Sequence, residues 1–297
     1  MAESGLVIVA KSGGMTSHDV VARIRKLAGT RRVGHAGTLD PMATGVLVIG
    51  VEKATRLLGY LALSEKEYSA TIRLGQATVT DDAEGEPLPV AAGAAAAVRR
   101  LDEGTLAAAL AALSGEIMQV PPKISAIKVN GQRAYRLTRS GAAPELKARP
   151  VTIRKLELLG RREAGPGLAD IDIAVTCSSG TYIRAIARDL GTALGTGGHL
   201  TVLCRTRVGP YGIAAAKTLE QLAEAFAVMP LAQAAAAAFG TLRLSADEAR
   251  LVSHGVSIRA PAAATDQPMA AFGPDGTLIA LLVSRDGELR PLAVLAP

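Results

Sequence analysis

Residues Gly34 to Gly45 read GHAGTLDPMATG and run directly into the apolar stretch VLVIGV, Val46 to Val51. A single carboxylate, Asp40, sits there among small, hydroxyl and turn-forming residues, with the imidazole of His35 five positions upstream and no second acid beside it. Asp-Pro is a frequent turn initiator, so a loop that simply turns into a buried strand also satisfies the pattern. The chemistry open to a lone acid is narrow. A glycosidase needs two carboxylates flanking one bond, and only one is present. A solitary catalytic Asp acts as a nucleophile, or as a base held ionised by a cation.

Working outward, the chain alternates strand and helix. GLVIVA (Gly5 to Ala10) reads as a short strand, and Thr16 or Ser17 offers a capping hydroxyl to a helix carrying Val20, Val21, Ile24 and Leu27. VLVIGV reads as a buried strand, EKATRLLGYLAL as a helix and YSATIRL as an alternating strand ending at Gly75. The acidic TDDAEGEPLP is turn-rich, and the Ala-rich stretch from Ala107 to Leu113 reads as a helix. Beyond it the chain becomes β-rich. Asn130-Gly131 lies between alternating residues, a hairpin signal. PVTIRKLELL and DIDIAVTCSS read as strands, and GTYIRAIARDLG passes from strand to helix. PDG and RDG turns separate short strands near the end, so a small β-rich domain is expected after about residue 240, with the Ala-rich AQAAAAAFG as the join.

Length and composition agree with a globular protein of one large or two unequal domains: 297 residues, of which 49% are hydrophobic. No apolar run approaches the ~20 residues of a membrane span, and the N-terminus does not resemble a signal peptide, so a cytoplasmic protein with no membrane association is expected. Cys177 and Cys204 show no metal or disulfide spacing, and the four histidines never pair at i, i+4, so no metal is assigned. A nucleophile elbow and a phosphate loop are both missing from the sequence. Charge is uneven. From Thr241 to Pro297 the net is −1, whereas Pro121 to Gly160 carries nine basic residues, among them Lys123, Lys128 and Arg133, against two acids. Such a segment suits a polyanion, although a solvated surface would also carry it.

GHAGTLDPMATGVLVIG resembles, nearly residue for residue, the signature of the TruB family of tRNA pseudouridine synthases, which isomerise uridine 55 in the T loop. KEYSATIRLGQ is similar to that family's tyrosine motif, SSGTYIRAIARDLG to its arginine motif, GGHLTVLCRTRVG to its leucine motif, and PPKISAIKVNGQRAYRLTRSG to its inserted arm. These blocks run in the expected order from about Met15 to Gly212. The resemblance implies an α+β (mixed α/β) fold. Its catalytic domain (1–235) would hold a central, mostly antiparallel sheet and a basic thumb arm at about 121–150, and a short PUA-like RNA-binding domain (240–297) would follow.

The same resemblance implies the roles of individual residues. Asp40 would act either at the ribose or at C6 of the uracil, and both routes stay open. Arg184 would pair with the acid, favouring its ionised form and fixing its orientation. Tyr68 would stack on the flipped uracil and move a proton, while Tyr182 and Leu203 close the apolar side of the pocket. His35 would fill the space vacated by flipped nucleotides. Lys123, Lys128 and Arg133 would grip phosphates of the tRNA T arm. Nothing is oxidised or hydrolysed, so no cofactor is required; a monomer needing no protein partner is implied.

Two departures from the family pattern stand out. Ala10-Lys11-Ser12 replaces the usual Asp-Lys-Pro, which removes a fixed φ and puts the supporting role of Lys11 in question. Thr78-Val79-Thr80 replaces Thr-Asp-Thr, although Asp82 still occupies a position used near the RNA. Two other functions compete with a stand-alone tRNA isomerase. One is a tRNA-folding chaperone acting without need of catalysis; the other is a guide-RNA-dependent synthase.

Overall fold

The run GLVIVAK forms β1 (Gly5–Lys11), and the capped, apolar-striped segment after it forms α1 (Ser17–Ala28). The computed structural model describes residues 3–124, 128–129, 132–133, 146–261 and 265–296. The chain continues through β2 (Val33–His35), β3 (Thr44–Val51), a 3-10 turn at Glu52–Leu57, α2 (Leu58–Leu61) and β4 (Lys66–Leu74). Next come α3 (Ala94–Arg100), α4 (Glu103–Ala112), β5 (Gly115–Gln119), β6 (Lys128–Val129), β7 (Gln132–Arg133), β8 (Arg149–Gly165) and β9 (Leu168–Cys177). Then follow α5 (Ile183–Ala193), β10 (Gly198–Val208), β11 (Tyr211–Gly212), α6 (Leu219–Glu224), β12 (Met229–Pro230) and α7 (Leu231–Ala238). The last elements are β13 (Gly240–Arg243), α8 (Ala246–Ser253), β14 (Ile258–Arg259), β15 (Met269–Phe272), β16 (Leu278–Arg285) and β17 (Glu288–Val294).

These elements gather into two units, one comprising Met1–Pro41, Gly45–Ser64 and Val208–Pro297, the other Met42–Thr44 and Glu65–Arg207. In the first unit β1 lies antiparallel between β12 and β3, and β2 adds to the start of the ladder against β3. Both strands read as continuous apolar runs because side chains pointing either way are buried. Leu6, Ile8, Val46 and Val48 join one cluster with Leu57, Leu61, Ala234 and Ala235. The Ala-rich stretch after residue 231 is therefore a packed helix, α7. Tyr211 donates its hydroxyl to Ala234 O at 2.8 Å there.

The C-terminal residues form a five-stranded sheet in the order β13-β15-β16-β17-β14, parallel only between β13 and β15. One set of its apolar residues, including Ile258, Ile279, Leu282 and Leu289, packs with Val252 of α8. Another set, Ala270, Leu278, Leu281 and Leu295, belongs to the cluster around Leu57. Lys53 donates to Ala296 O at 2.8 Å, tying the chain end to the 3-10 turn.

In the second unit β10, β4, β9, β8 and β5 lie side by side, and β4–β9, β8–β9 and β5–β8 pair antiparallel. The antiparallel sheet and mixed α/β content match the expected fold. The alternation in YSATIRL is real: Tyr68, Ala70, Ile72 and Leu74 are all buried. β6 and β7 pair antiparallel with Lys128 opposite Arg133, as two strands flanking Asn130-Gly131 should. The Asn130-Gly131 turn itself, and the arm from 134 to 145, lie outside the described residues. One element differs from its reading. EKATRLLGYLAL is a 3-10 turn followed by a single α-turn, because Glu52 takes a left-handed φ of 53° and Val51 supplies no side-chain cap.

Candidate active site

The Asp40 loop is fixed from two directions within the first unit. Thr16 caps α1 in a reciprocal box with Asp19: Asp19 N donates to Thr16 Oγ1 at 3.1 Å and Thr16 N to Asp19 Oδ2 at 2.8 Å. That cap turns the next hydroxyl, Ser17, inward. Fully buried, it donates to Leu39 O at 3.2 Å and accepts from Leu39 N at 2.9 Å, immediately before the acid. On the other flank the buried Lys11 ammonium donates to the carbonyls of Ser12 at 2.9 Å, Met15 at 2.7 Å and Pro41 at 3.1 Å. Gly14 N also donates to Pro41 O at 2.9 Å. Lys11 therefore holds the turn through hydrogen bonds where the proline has been lost. Asp40 itself is half-buried.

His35 stands on β2 opposite Ile49, and its ring meets that of His18 edge-on, with centroids 5.7 Å apart. Exposed cations crowd the approach to this loop in sequence: Arg23, Arg25, Lys26, Arg31 and Arg32 fall within ten residues, and Arg32 reaches Glu52 at 3.7 Å.

The second unit collects the remaining candidates. Tyr68 is buried on β4 opposite Val175, and Leu203 is buried on β10. Arg184 lies in the first turn of α5. Its Nη1 donates to Thr80 O at 2.9 Å and sits 3.3 Å from Asp82 Oδ2, with the two side chains only 5% and 4% exposed. Asp82 is itself held: Glu84 N donates to its carboxylate at 3.1 Å, the Thr80 hydroxyl also donates to it, and Thr78 Oγ1 donates to its carbonyl at 2.7 Å. The loop that departs from the family pattern still delivers Asp82 to Arg184. One turn further along α5, Arg188 approaches Asp81 at 3.4 Å and donates to Val120 O at 2.7 Å. Burial, opposed by Arg188 and Arg184, holds the Asp81 carboxyl above its usual range.

Tyr182 caps α5 without a side-chain cap bond. The buried Gln119 amide instead brackets its backbone, accepting from Tyr182 N at 2.8 Å and donating to Tyr182 O at 3.2 Å. Lys66 is buried two residues before Tyr68, and burial together with the nearby Arg205 guanidinium lowers its ammonium from 10.5 to about 8. Burial likewise pushes the Cys177 thiol up to about 11, so it is a poor nucleophile. Lys123 is exposed at the root of the inserted segment. Among the described residues no three His, Cys, Asp or Glu side chains are grouped to hold a metal ion, and no helix is long and apolar enough to cross a membrane.

The contributions of Ser17, Gln119 and Arg188 escaped the sequence reading. Thr16-Ser17 offers two capping hydroxyls, and only the chain path decides that one caps while the other turns inward. Gln119 and Tyr182 are 63 positions apart, so nothing local to either signals their pairing.

The overall fold is shared with solved structures. A chain in the crystal structure of a Cbf5-Nop10-Gar1 complex aligns with a TM-score of 0.74 and 25% identity, covering 99% of this chain and 85% of that one. Residues 25–183 match the N-terminal domain of TruB family pseudouridylate synthases, which sets the class. Residues 184–237 match the tRNA pseudouridylate synthase B C-terminal domain, and residues 239–296 the C-terminal region of tRNA pseudouridine synthase II. The chain belongs to the TruB family. Among its relatives, tRNA pseudouridine synthase B of Thermobifida fusca (strain YX) is 59% identical over 295 residues, 98% of each chain. The protein of the same name from Arthrobacter sp. (strain FB24) is 59% identical over 302 residues, covering 99% of this chain and 97% of its own.

Proposed function

We propose that the protein isomerises uridine to pseudouridine in tRNA, at position 55 of the T loop. The observation that carries this reading is the 59% identity, over 98% of both chains, to a relative named tRNA pseudouridine synthase B. In the reaction the N1–C1′ bond breaks and a C5–C1′ bond forms. The C5 hydrogen leaves as a proton and N1 gains one, so no redox partner or hydrolytic water enters the balance. Asp40 is the acting carboxylate, Arg184 the guanidinium that favours its ionised form, and Tyr68 the ring against the uracil. A stacked uridine is beyond reach, and flipping it out costs a few kcal/mol; stacking on an aromatic ring returns about 1–3 kcal/mol. His35 fills the vacated space, and Tyr182 and Leu203 line the apolar side. Lys11 shapes the loop, and Asp82 steadies Arg184.

Residues 1–235 form the catalytic domain in this reading, with Lys123, Lys128 and Arg133 of the arm on T-arm phosphates. Residues 240–297 form a PUA-like module reaching the acceptor end. The enzyme works in the cytoplasm as a monomer on bare tRNA.

Tritium release tests this reading. A tRNA transcript labelled at C5 of uridine is incubated with the wild-type protein, with Asp40→Asn, and in a version carrying cytidine at position 55. About one tritium released per tRNA, lost in both controls, is the expected result. Tight tRNA binding without release would overturn the enzyme and favour a tRNA-folding chaperone.

A further inference from the structure

Gln119 occupies an unusual place for a fully buried amide. It ends β5, the edge strand of its sheet, and its side chain reaches the residue that opens α5. A carboxamide offers a donor and an acceptor side by side, which matches the N–H and C=O of one extended residue. Tyr182 is extended, with φ −103° and ψ 111°, and Gln119 engages both of its backbone groups, at 2.8 and 3.2 Å. The same Tyr182 carbonyl accepts from Ala185 N at 3.1 Å and Ile186 N at 3.3 Å, so it is the first rung of α5. Fixing Tyr182 therefore fixes where the helix begins and which way its first turn points. Arg184 lies in that turn.

A second tie joins the same two segments. Arg188, one turn beyond Arg184, donates to the carbonyl of Val120, the neighbour of Gln119, and contacts Asp81 beside Asp82. Gln119–Val120 is thus bonded to α5 at both its N-cap residue and its second turn. Gln119 is too deeply buried to meet RNA.

We propose that Gln119 is a positioning residue for the isomerisation, setting Tyr182 and, through the start of α5, the guanidinium of Arg184. This inference rests on the tRNA isomerase reading above. Truncating the amide removes no group that itself meets RNA, and it lets the helix start drift. Catalytic geometry tolerates little drift, since displacements near 1 Å cost on the order of 100-fold in rate. The loss falls on the chemical step and spares affinity.

The test measures single-turnover tritium release at saturating enzyme, and tRNA Kd by filter binding, for the wild type, Gln119→Ala and Gln119→Glu. Val98→Ala, a core truncation on the buried face of α3, controls for lost stability. Gln119→Ala is expected to slow release at least about tenfold while Kd stays within about twofold, and Val98→Ala to keep the wild-type rate. Gln119→Glu regains both hydrogen bonds only when its carboxyl is protonated. Its rate relative to wild type should therefore climb as pH falls from 8 to 6, and this variant carries the test if Gln119→Ala does not fold. A Gln119→Ala rate within twofold of an active wild type overturns the inference alone, as does an equal loss in Val98→Ala or a Gln119→Glu ratio that is flat with pH. A wild type that releases no tritium overturns the isomerase reading and this inference with it.

Discussion

Ser17 holds Leu39 by both of its backbone polar groups, donating to its carbonyl at 3.2 Å and accepting from its amide at 2.9 Å. The pairing crosses 22 positions of chain and places a rigid residue directly before Asp40. Ser17→Ala leaves a buried N–H and a buried C=O without that hydroxyl, a loss of about 1–3 kcal/mol. Thermal melting should show a Tm lower by several degrees, with tritium release falling more than tRNA affinity. An unchanged rate in a folded variant would mean that the loop is held well enough by Lys11 alone.

Lys11 is expected to be the costlier change. Its ammonium donates to three carbonyls from within a fully buried position. Hydrogen bonds to a charged group contribute about 1.5–3 kcal/mol, and Lys11→Met removes all three while keeping the stem. A chain of this size loses ~2–4 °C of Tm per kcal/mol. A fall of about 10 °C or more in calorimetry is the expected outcome, and a shift within 3 °C would show that water or neighbours readily replace the ammonium.

How far these arrangements can be read from sequence depends on whether the controlling contact is local. The strands around Val7, Val48 and Ile72 follow from periodicity, and a capped helix start at Thr16 or Ser17 from the two adjacent hydroxyls, so they were legible; which hydroxyl caps was not. The failed helix at Glu52 was not, because a left-handed residue at the end of β3 overrides good helix-forming composition. AQAAAAAFG left burial unread since alanine suits surface and core alike; it is the cluster around Leu57 that makes it a packed helix. Asp40 stood out as a lone acid in its loop, but its role, and Tyr68 and Arg184 as candidates, were legible only through motif resemblance. Gln119 and Ser17 act on backbone 63 and 22 positions away, and such partners leave no mark on nearby sequence.

Arg184 and Asp82 should behave as one unit. The pair is buried, and removing one charge from such a pair costs about 3–5 kcal/mol, less here to the extent that Arg184 keeps its bond to Thr80 O. Asp82→Asn and Arg184→Lys should each slow single-turnover release by about 100-fold or more with little change in tRNA Kd. Combined, they should cost far less than the product of the two effects, since groups sharing one contact are not additive. Multiplicative losses would separate Asp82 from the arginine's role.

Lys66 gives a prediction in pH. Burial, with Arg205 next to it, lowers its ammonium from 10.5 to about 8, so the folded state holds this proton less tightly than the unfolded chain does. Protonated Lys66 therefore costs stability at neutral pH, and that cost fades as pH rises from about 8 toward 10.5, where the unfolded lysine also loses its proton. Lys66→Met keeps an unbranched side chain of similar length and removes the charge. Urea unfolding should show the variant more stable than wild type at pH 7, with the gap narrowing steadily up to pH 10. A gap of the opposite sign at pH 7 would mean that the positive charge is stabilised where it lies and that the ammonium serves the fold in its charged form. A gap that persists unchanged to pH 10 would assign the gain to packing by the thioether and not to the lost charge.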